Sequence, residues 1–209
     1  MEEKMTSRQF AIIALAGFTL AVSGCKKEEQ SKEGAPTPVQ QAAPAAAPAA
    51  APAIGMADYT FESGADGWTP NGTIVKTGQA TEQKHGGNGS LKISATGSDK
   101  LWNLAISPRF GLEPGKKYNL SGWMYVESWN NAKFQPLLKY GIYQNSTFKD
   151  NAFTSKYDLN KSKEWQKLEN TFVAPAGAPV DGYISLEKGT QENITAVIYL
   201  DDIKLEPAK

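Results

Sequence analysis

The sequence is poor in the residues that catalysis and cross-linking need. It holds one cysteine and one histidine in 209 residues. One cysteine closes no internal disulfide, so the fold must rest on its core. The single histidine, His85, sits in the stretch HGGNG. It offers no Ser–His–Asp set, and the chain has no zinc or haem pattern. No GxxxxGKS or GxxxxGKT phosphate loop occurs, and Gly86–Gly89 reads as a turn. Nucleophile, base and orienter are nowhere found together. Charge of one sign is also lacking. Lys and Arg number 22, Asp and Glu number 22, and the formal net charge is zero. That balance gives no footprint for nucleic acid and no pull towards acidic lipid.

Long apolar runs are absent too. The uncharged stretch FAIIALAGFTLAVSG covers Phe10 to Gly24, 15 residues, against the ~20 that cross a bilayer. It has the length of the apolar centre of a secretory signal peptide. Lys4 and Arg8 supply the positive end, and Met5 offers a second start after the unusual Glu2-Glu3. Val22-Ser23-Gly24-Cys25 follows, which resembles the bacterial lipobox: an aliphatic residue, two small residues, then Cys. The resemblance implies cleavage before Cys25 and acylation of its sulfur and new amino end, including a palmitate-type chain. Several chains give the stable anchoring that one does not. The competing readings of Cys25, a buried thiol or a metal ligand, fit poorly beside Lys26-Lys27. Lys26 is not the Asp that marks inner-membrane retention in enteric bacteria. The expected location is therefore the cell envelope, at the outer membrane or cell surface rather than the inner membrane.

What is present beyond Cys25 divides in two. Residues 26–34 are charged, and 35–54 read APTPVQQAAPAAAPAAAPAI. Repeated proline denies this run a helix or a place in a sheet, so it reads as an extended spacer. At ~3.1 Å per residue, the roughly 30 residues up to Gly55 reach ~90 Å. The expected organisation is a signal peptide over 1–24, a lipidated Cys25 and linker over 25–56, and one domain over 57–209.

In that domain the apolar period is two. YTFE (59–62), TIVKT (73–77), SLKISAT (90–96), LWNLAISPRF (101–110) and LEPGKKYNLSGWMYVES (112–128) read as strands or turn-plus-strand units. KFQPLLKYGIYQ (133–144), EWQKLENTFVAP (164–175), DGYISLEKG (181–189) and TAVIYLDDIKL (195–205) follow. About nine strands with turns between them, and no amphipathic helix, predict an all-β sandwich.

The order of certain residues carries more. Phe61-Glu62 and Gly67-Trp68 come first, then Gly87-Asn88-Gly89-Ser90-Leu91-Lys92-Ile93 and Trp102. Leu112-Glu113-Pro114-Gly115-Lys116-Lys117-Tyr118, Leu120-Ser121-Gly122-Trp123 and Trp165 with Leu168 follow. The chain closes on Tyr199-Leu200-Asp201-Asp202-Ile203-Lys204-Leu205. This order resembles the carbohydrate-binding modules of bacterial xylanases and cellulases, of the cellulose- and xylan-binding type. The resemblance implies a jelly-roll sandwich with a galactose-binding-like fold over residues 57–206. It also implies a glycan cleft on the outer face of one sheet.

Sugar rings offer flat C–H faces and a rim of hydroxyls, which aromatic planes and polar groups can meet. The resemblance assigns Trp102 as the platform and Glu187 as an acceptor of sugar hydroxyls. It brings Phe153 near a second platform, with Tyr143 and Trp129 as candidates for the cleft face or rim. Ser185 stands where the family carries an aromatic, a departure from the xylan-binding pattern. Trp68, Tyr118, Trp165 and Phe172 are expected in the core. In the closing strand, Asp201 shares parity with Tyr199, Ile203 and Leu205, so it is expected to point inward, where a carboxylate needs a partner. The family supplies a structural calcium, and Glu62 and Asp201 are the side chains that match its ligands, with carbonyls of the 85–92 turn. Ordinary hydrogen bonds to both acids are the alternative.

The function these readings predict is a membrane-anchored lipoprotein that binds a polysaccharide or cell-wall glycan without catalysis. A structural or adhesion subunit contacting another protein is the second reading. A distant glycosidase or lyase is the third, with Glu82 and Glu187 as the carboxylates such chemistry would need.

Overall fold

The structure is a computed structural model and describes residues 56–209. Cys25, the signal-peptide segment and all but the last residue of the linker lie outside the described residues.

Two antiparallel sheets of six strands pack face to face. In chain order the strands are β1 (Ala57–Tyr59), β2 (Thr69–Pro70), β3 (Val75–Ala80), β4 (Ser90–Ser98), β5 (Asn103–Ile106) and β6 (Phe110–Leu112). Then come β7 (Lys117–Trp129), β8 (Leu137–Gln144), β9 (Thr147–Phe153), β10 (Trp165–Val173), β11 (Val180–Glu187) and β12 (Asn193–Pro207). The first sheet runs β10-β7-β12-β4-β3, with β1 on the far part of β12. The second runs β2-β5-β11-β8-β9, with β6 beside β11. The one helical element among the described residues is a short 3-10 turn, Leu159–Lys161. This is the all-β sandwich that the period of two predicts, with the jelly-roll form that the resemblance implies.

The alternating residues explain the core. Leu91, Ile93 and Ala95 of β4 lie beside Ile198 and Leu200 of β12 and Leu120, Met124 and Val126 of β7 on the inner face of the first sheet, in one buried cluster. Leu104, Leu138, Tyr140, Ile184 and Leu186 close it from the second sheet. Each fully buried side chain of this size contributes about 1.5–3 kcal/mol relative to exposure. Trp68 and Tyr118 belong to the cluster, and Phe172 packs against it.

Four features depart from expectation. The run 101–110 is two strands, because Pro108 has no N–H to donate and Ser107 turns to bond Ile184 through both its amide and its hydroxyl. Strand β9 is absent from the sequence reading. It is an edge strand with mostly exposed residues, entered by a two-residue turn at Asn145 (φ +50°) and Ser146 (φ +61°). Trp165 is not core. It stands opposite Tyr125 on the outer face of the first sheet, their ring centroids 5.7 Å apart. Asp201 does not point between the sheets. Ile194, Ala196, Ile198 and Leu200 point inward, so Tyr199 and Asp201 point outward. A bulge then breaks the β12–β7 register between Asp201 and Lys204, with Asp202 at φ +46°, and returns Ile203 and Leu205 to the core. Asp201 is 1% exposed because the 85–86 turn covers it from outside.

Candidate functional site

On β11 the inward residues are Gly182, Ile184 and Leu186. Tyr183, Ser185 and Glu187 therefore face outward, at the centre of the second sheet. The neighbouring strand β8 brings Lys139, Gly141 and Tyr143 to the same face, and β9 brings Phe153 opposite Lys139 and Asn151 opposite Gly141. A cleft of about 310 Å³ results, walled by Trp102 and Asn103 at one end and Tyr143, Tyr183 and Phe148 at the other. Gly141 leaves its middle without a side chain. A larger apolar hollow of about 740 Å³ lies between Leu112, Pro114 and Val180, but it has no aromatic plane and Asp181 is its one charged lining residue.

The aromatic end is tightly braced. Tyr143 and Tyr183 have hydroxyls 3.3 Å apart and ring centroids 5.9 Å apart. Phe148 meets Tyr143 edge-on at 5.6 Å. The Arg109 guanidinium lies 4.5 Å from the Tyr143 centroid and 5.7 Å from that of Tyr183. It donates from Nη2 and Nε to Asp181 Oδ2 at 2.7 and 3.1 Å. Burial, followed by the bond to Tyr143, pushes the Tyr183 phenol up to about 12. It stays protonated at neutral pH and can both donate to and accept from a hydroxyl.

At the other end Trp102 is 54% exposed and Phe153 is 41% exposed. Between them lies a buried ion pair, with Lys139 Nζ 2.7 Å from Glu187 Oε2. That contact partners Glu187 Oε2 with the ammonium. Ser185 Oγ and Asn103 Oδ1 beside it are buried and have no hydrogen-bond partner among the described residues. With Trp68 Nε1 they are the three buried side-chain polar atoms among those residues that neither bond nor ion pair satisfies, and two of the three belong to this floor. Buried polar groups are nearly always hydrogen-bonded, so such a concentration marks a place where another molecule supplies the partners.

Trp102, Glu187, Phe153 and Tyr143 are thus brought to one face. Trp129 is not. It ends β7 in the first sheet, packs against the core, and donates its indole N–H to the carbonyls of Asn131 and Phe134 at 2.9 and 2.8 Å. The sequence reading missed Tyr183, Lys139, Asn103, Asn151 and Phe148. Tyr183 was within reach, because it shares parity with Ser185 and Glu187. Phe148 and Asn151 lie on the strand that carries little apolar alternation.

Glu62 and Asp201 meet at one turn from opposite parts of the chain. Asp201 Oδ2 accepts from the amides of His85 and Gly86 at 2.9 and 3.1 Å, and Oδ1 accepts from Asp202 at 2.8 Å. Glu62 Oε2 accepts from Asn88 at 2.7 Å. A Cβ on Gly87 would fall 1.7 Å from Glu62 Oε1, so the turn is shaped around that carboxylate. Asp202 joins them and bonds His85 Nδ1 at 3.0 Å. Among the described residues no Lys or Arg pairs with these three acids. Hard oxygens without a cationic side chain suit calcium in kind. No three acidic, His or Cys side chains stand close enough among the described residues to hold an ion by themselves. An ion here would draw part of its shell from backbone carbonyls.

Comparisons with known proteins agree with the fold. The family described as carbohydrate binding domain matches residues 56–193. Endo-1,4-beta-xylanase A of Thermotoga neapolitana is 30% identical over 152 residues, 70% of this chain and 13% of that protein. Its counterpart from Thermotoga maritima matches with the same figures. The chain therefore spans a small part of the length of these relatives. Among solved structures, a xylan-binding domain from Paenibacillus barcinonensis superposes with a TM-score of 0.51 at 21% identity, covering 77% of this chain and 99% of that one. A Clostridium thermocellum endo-1,4-beta-D-xylanase with its N-terminal module, solved with xylohexaose, gives 0.51 at 17% identity, covering 73% and 28%. At these identities the likeness is one of fold.

Proposed function

This chain belongs to the family of carbohydrate-binding domains, and from that premise we propose that its second-sheet cleft holds a polysaccharide chain, with Trp102 as the platform under one sugar ring. The domain belongs to a carbohydrate-binding family, and on this reading it holds the polysaccharide without cleaving it. The observation that carries the assignment to this cleft is the pair of unpartnered buried atoms, Asn103 Oδ1 and Ser185 Oγ, beneath exposed aromatic planes. The first is a pure acceptor and the second a hydroxyl, which suits a ligand that donates from many hydroxyls. A flat protein contact would not fill them. The carboxylates a glycosidase would need are divided between the sheets. Glu82 pairs with Lys92 and Tyr199 beside the first sheet, while Glu187 lies in the second.

The ligand class we favour is a β-1,4-linked chain of the xylan kind, because the relatives are xylanases. Calcium at the 85–89 turn, held by Glu62, Asp201 and carbonyls, completes the reading as a structural ion. Lipid on Cys25 and the Pro/Ala spacer would carry the cleft on the cell envelope, at the outer membrane or cell surface. Labelling cells with an alkyne palmitate analogue tests the anchor: label should enter the chain and vanish in Cys25→Ser. Label that persists in that variant would refute it. The cleft is tested by titrating the full chain with xylohexaose and following tryptophan fluorescence, with Trp102→Ala beside it. Saturable binding lost in the variant is expected. Equal binding by both would place the ligand elsewhere.

A further inference from the structure

Trp102 is exposed, yet its segment is held from beneath by a buried lysine that touches no carboxylate. Lys188 is 1% exposed. Its Nζ donates to the carbonyls of Asp99 at 3.2 Å and Gln191 at 2.5 Å. Its own amide donates to Trp102 O at 2.7 Å. Its carbonyl accepts from Asn131 Nδ2 at 3.0 Å, and Asn131 O accepts from the Trp129 indole. One residue thus clamps both ends of the 99–102 segment, which joins β4 to β5, against the 188–191 turn, which joins β11 to β12. Two more bonds complete the clamp: Asp99 N donates to Glu192 O at 3.0 Å, and Leu101 N to Asp99 Oδ1 at 2.8 Å.

A buried ammonium capped by carbonyls alone is costly to keep. Burial lowers its pKa, partly offset by the nearby charges of Asp99 and Glu192. An apolar residue of similar length would fill the space without that cost. What the ammonium provides is one directed bond to the loop that carries the platform and one that fixes it within the 188–191 turn.

We infer that Lys188 is the positioning residue of the Trp102 platform, fixing the 99–102 segment so that the indole meets the sugar ring already oriented. The inference rests on the reading of Trp102 as the platform. It also explains Trp129, which acts on the cleft through Asn131 and Lys188 instead of lining it. Binding then spends less on ordering the loop.

The test is backbone amide relaxation of the full chain, unmutated and as Lys188→Met, without ligand. The amides of Lys100, Leu101 and Trp102 should show order parameters near ~0.85 in the unmutated chain and fall below ~0.6 in the variant. Amides of β7 and β12 should stay rigid. Unchanged order at 100–102 in folded Lys188→Met overturns the inference. If that variant does not fold, Asp99→Ala, which removes the acceptor for Leu101 N and the charge beside Lys188 but keeps the carbonyl that Nζ bonds, should loosen the same amides. Unchanged amides there overturn it equally. These readouts need no sugar, so they separate the clamp from the glycan reading, which fails if the unmutated chain does not bind xylohexaose. Where it binds, Lys188→Met should weaken Kd about tenfold. The double variant with Trp102→Ala should lose little more than Trp102→Ala alone, because both remove one coupled feature. Full additivity would contradict the coupling.

Discussion

At the scale of the residue, the cleft depends on side chains with distinct duties. Trp102 offers surface and Glu187 offers acceptors, while Lys139 keeps Glu187 in place. Trp102→Ala should weaken glycan binding by about tenfold or more, ~1.4 kcal/mol, with a negligible change in Tm, since the ring is mostly exposed. Calorimetric titration and thermal unfolding check the two halves of that statement. Lys139→Met should behave differently. It strands the Glu187 carboxylate in a site where both side chains are under 10% exposed, and breaking such a pair from one side costs about 3–5 kcal/mol. Replacing both, as Lys139→Met with Glu187→Met, should restore most of the stability and none of the binding. Urea denaturation of these two variants beside the unmutated chain is the measurement, and equal stability of the single and double variants would contradict the account.

Asp201 gives a pH test with a definite sign. Burial raises its pKa despite three amide donors. A carboxyl whose folded pKa lies above its unfolded value binds a proton more readily when folded. Between about pH 4 and that raised value, its contribution to stability therefore increases as pH falls and is lost as pH rises. In the presence of a chelator, the unmutated chain should gain stability relative to Asp201→Asn on acidification through this window. Calcium reverses the sign, because a bound cation favours the carboxylate and depresses its pKa. Added calcium should then raise Tm, and acid should remove the gain. A Tm indifferent to calcium and chelator would remove the ion from the account and leave the amides as the partners of Asp201.

At the scale of the element, β11 governs the site, because it carries Tyr183, Ser185 and Glu187 outward while Gly182, Ile184 and Leu186 hold it against the core. Gly182 sets how closely it can lie to β8: a Cβ there would be 1.9 Å from Gly141 O and 2.8 Å from the Tyr140 ring. Gly182→Ala should push the strands apart, cost about 1–3 kcal/mol, and weaken binding although the residue touches no ligand. Amide exchange along β8 and β11 should rise together. Much of this scale was legible in the sequence. The period of two predicts β4, β7 and β11 as strands, and Trp102, Tyr143, Phe153 and Glu187, proposed for the cleft, lie on one sheet face. The failures have physical causes. Counting by twos through TAVIYLDDIKL assumes an unbroken ladder, and the bulge at Asp201–Asp202 reverses parity halfway. Trp165 and Trp129 read like core or cleft aromatics, since parity gives a face but not what covers it. Strand β9 has its apolar partner on one side only, so exposed Phe148 and Lys149 mask it. The Lys139–Glu187 pair joins two strands far apart in sequence, and no local pattern announces it.

At the scale of the whole molecule, the formal net charge of zero leaves recognition to shape, aromatic planes and hydrogen bonds, so affinity should vary little with salt. A tenfold rise in ionic strength should change Kd by less than about twofold, which separates this mode from binding to polyanions, where affinity falls steeply with salt. The family match spans most of the described domain, and the chain covers 13% of the xylanases it resembles. What it shares with them is a binding module, and on the proposed reading a lipid and a spacer present that module at a surface.

The most direct measurement is a calorimetric titration of the full chain with xylohexaose, repeated with Trp102→Ala. The account predicts saturable binding by the unmutated chain and a loss of about tenfold or more in a variant with unchanged Tm. No heat from folded, unmutated protein, with xylohexaose or with any soluble polysaccharide tried after it, would contradict the cleft assignment and return its aromatic face to contact with another protein.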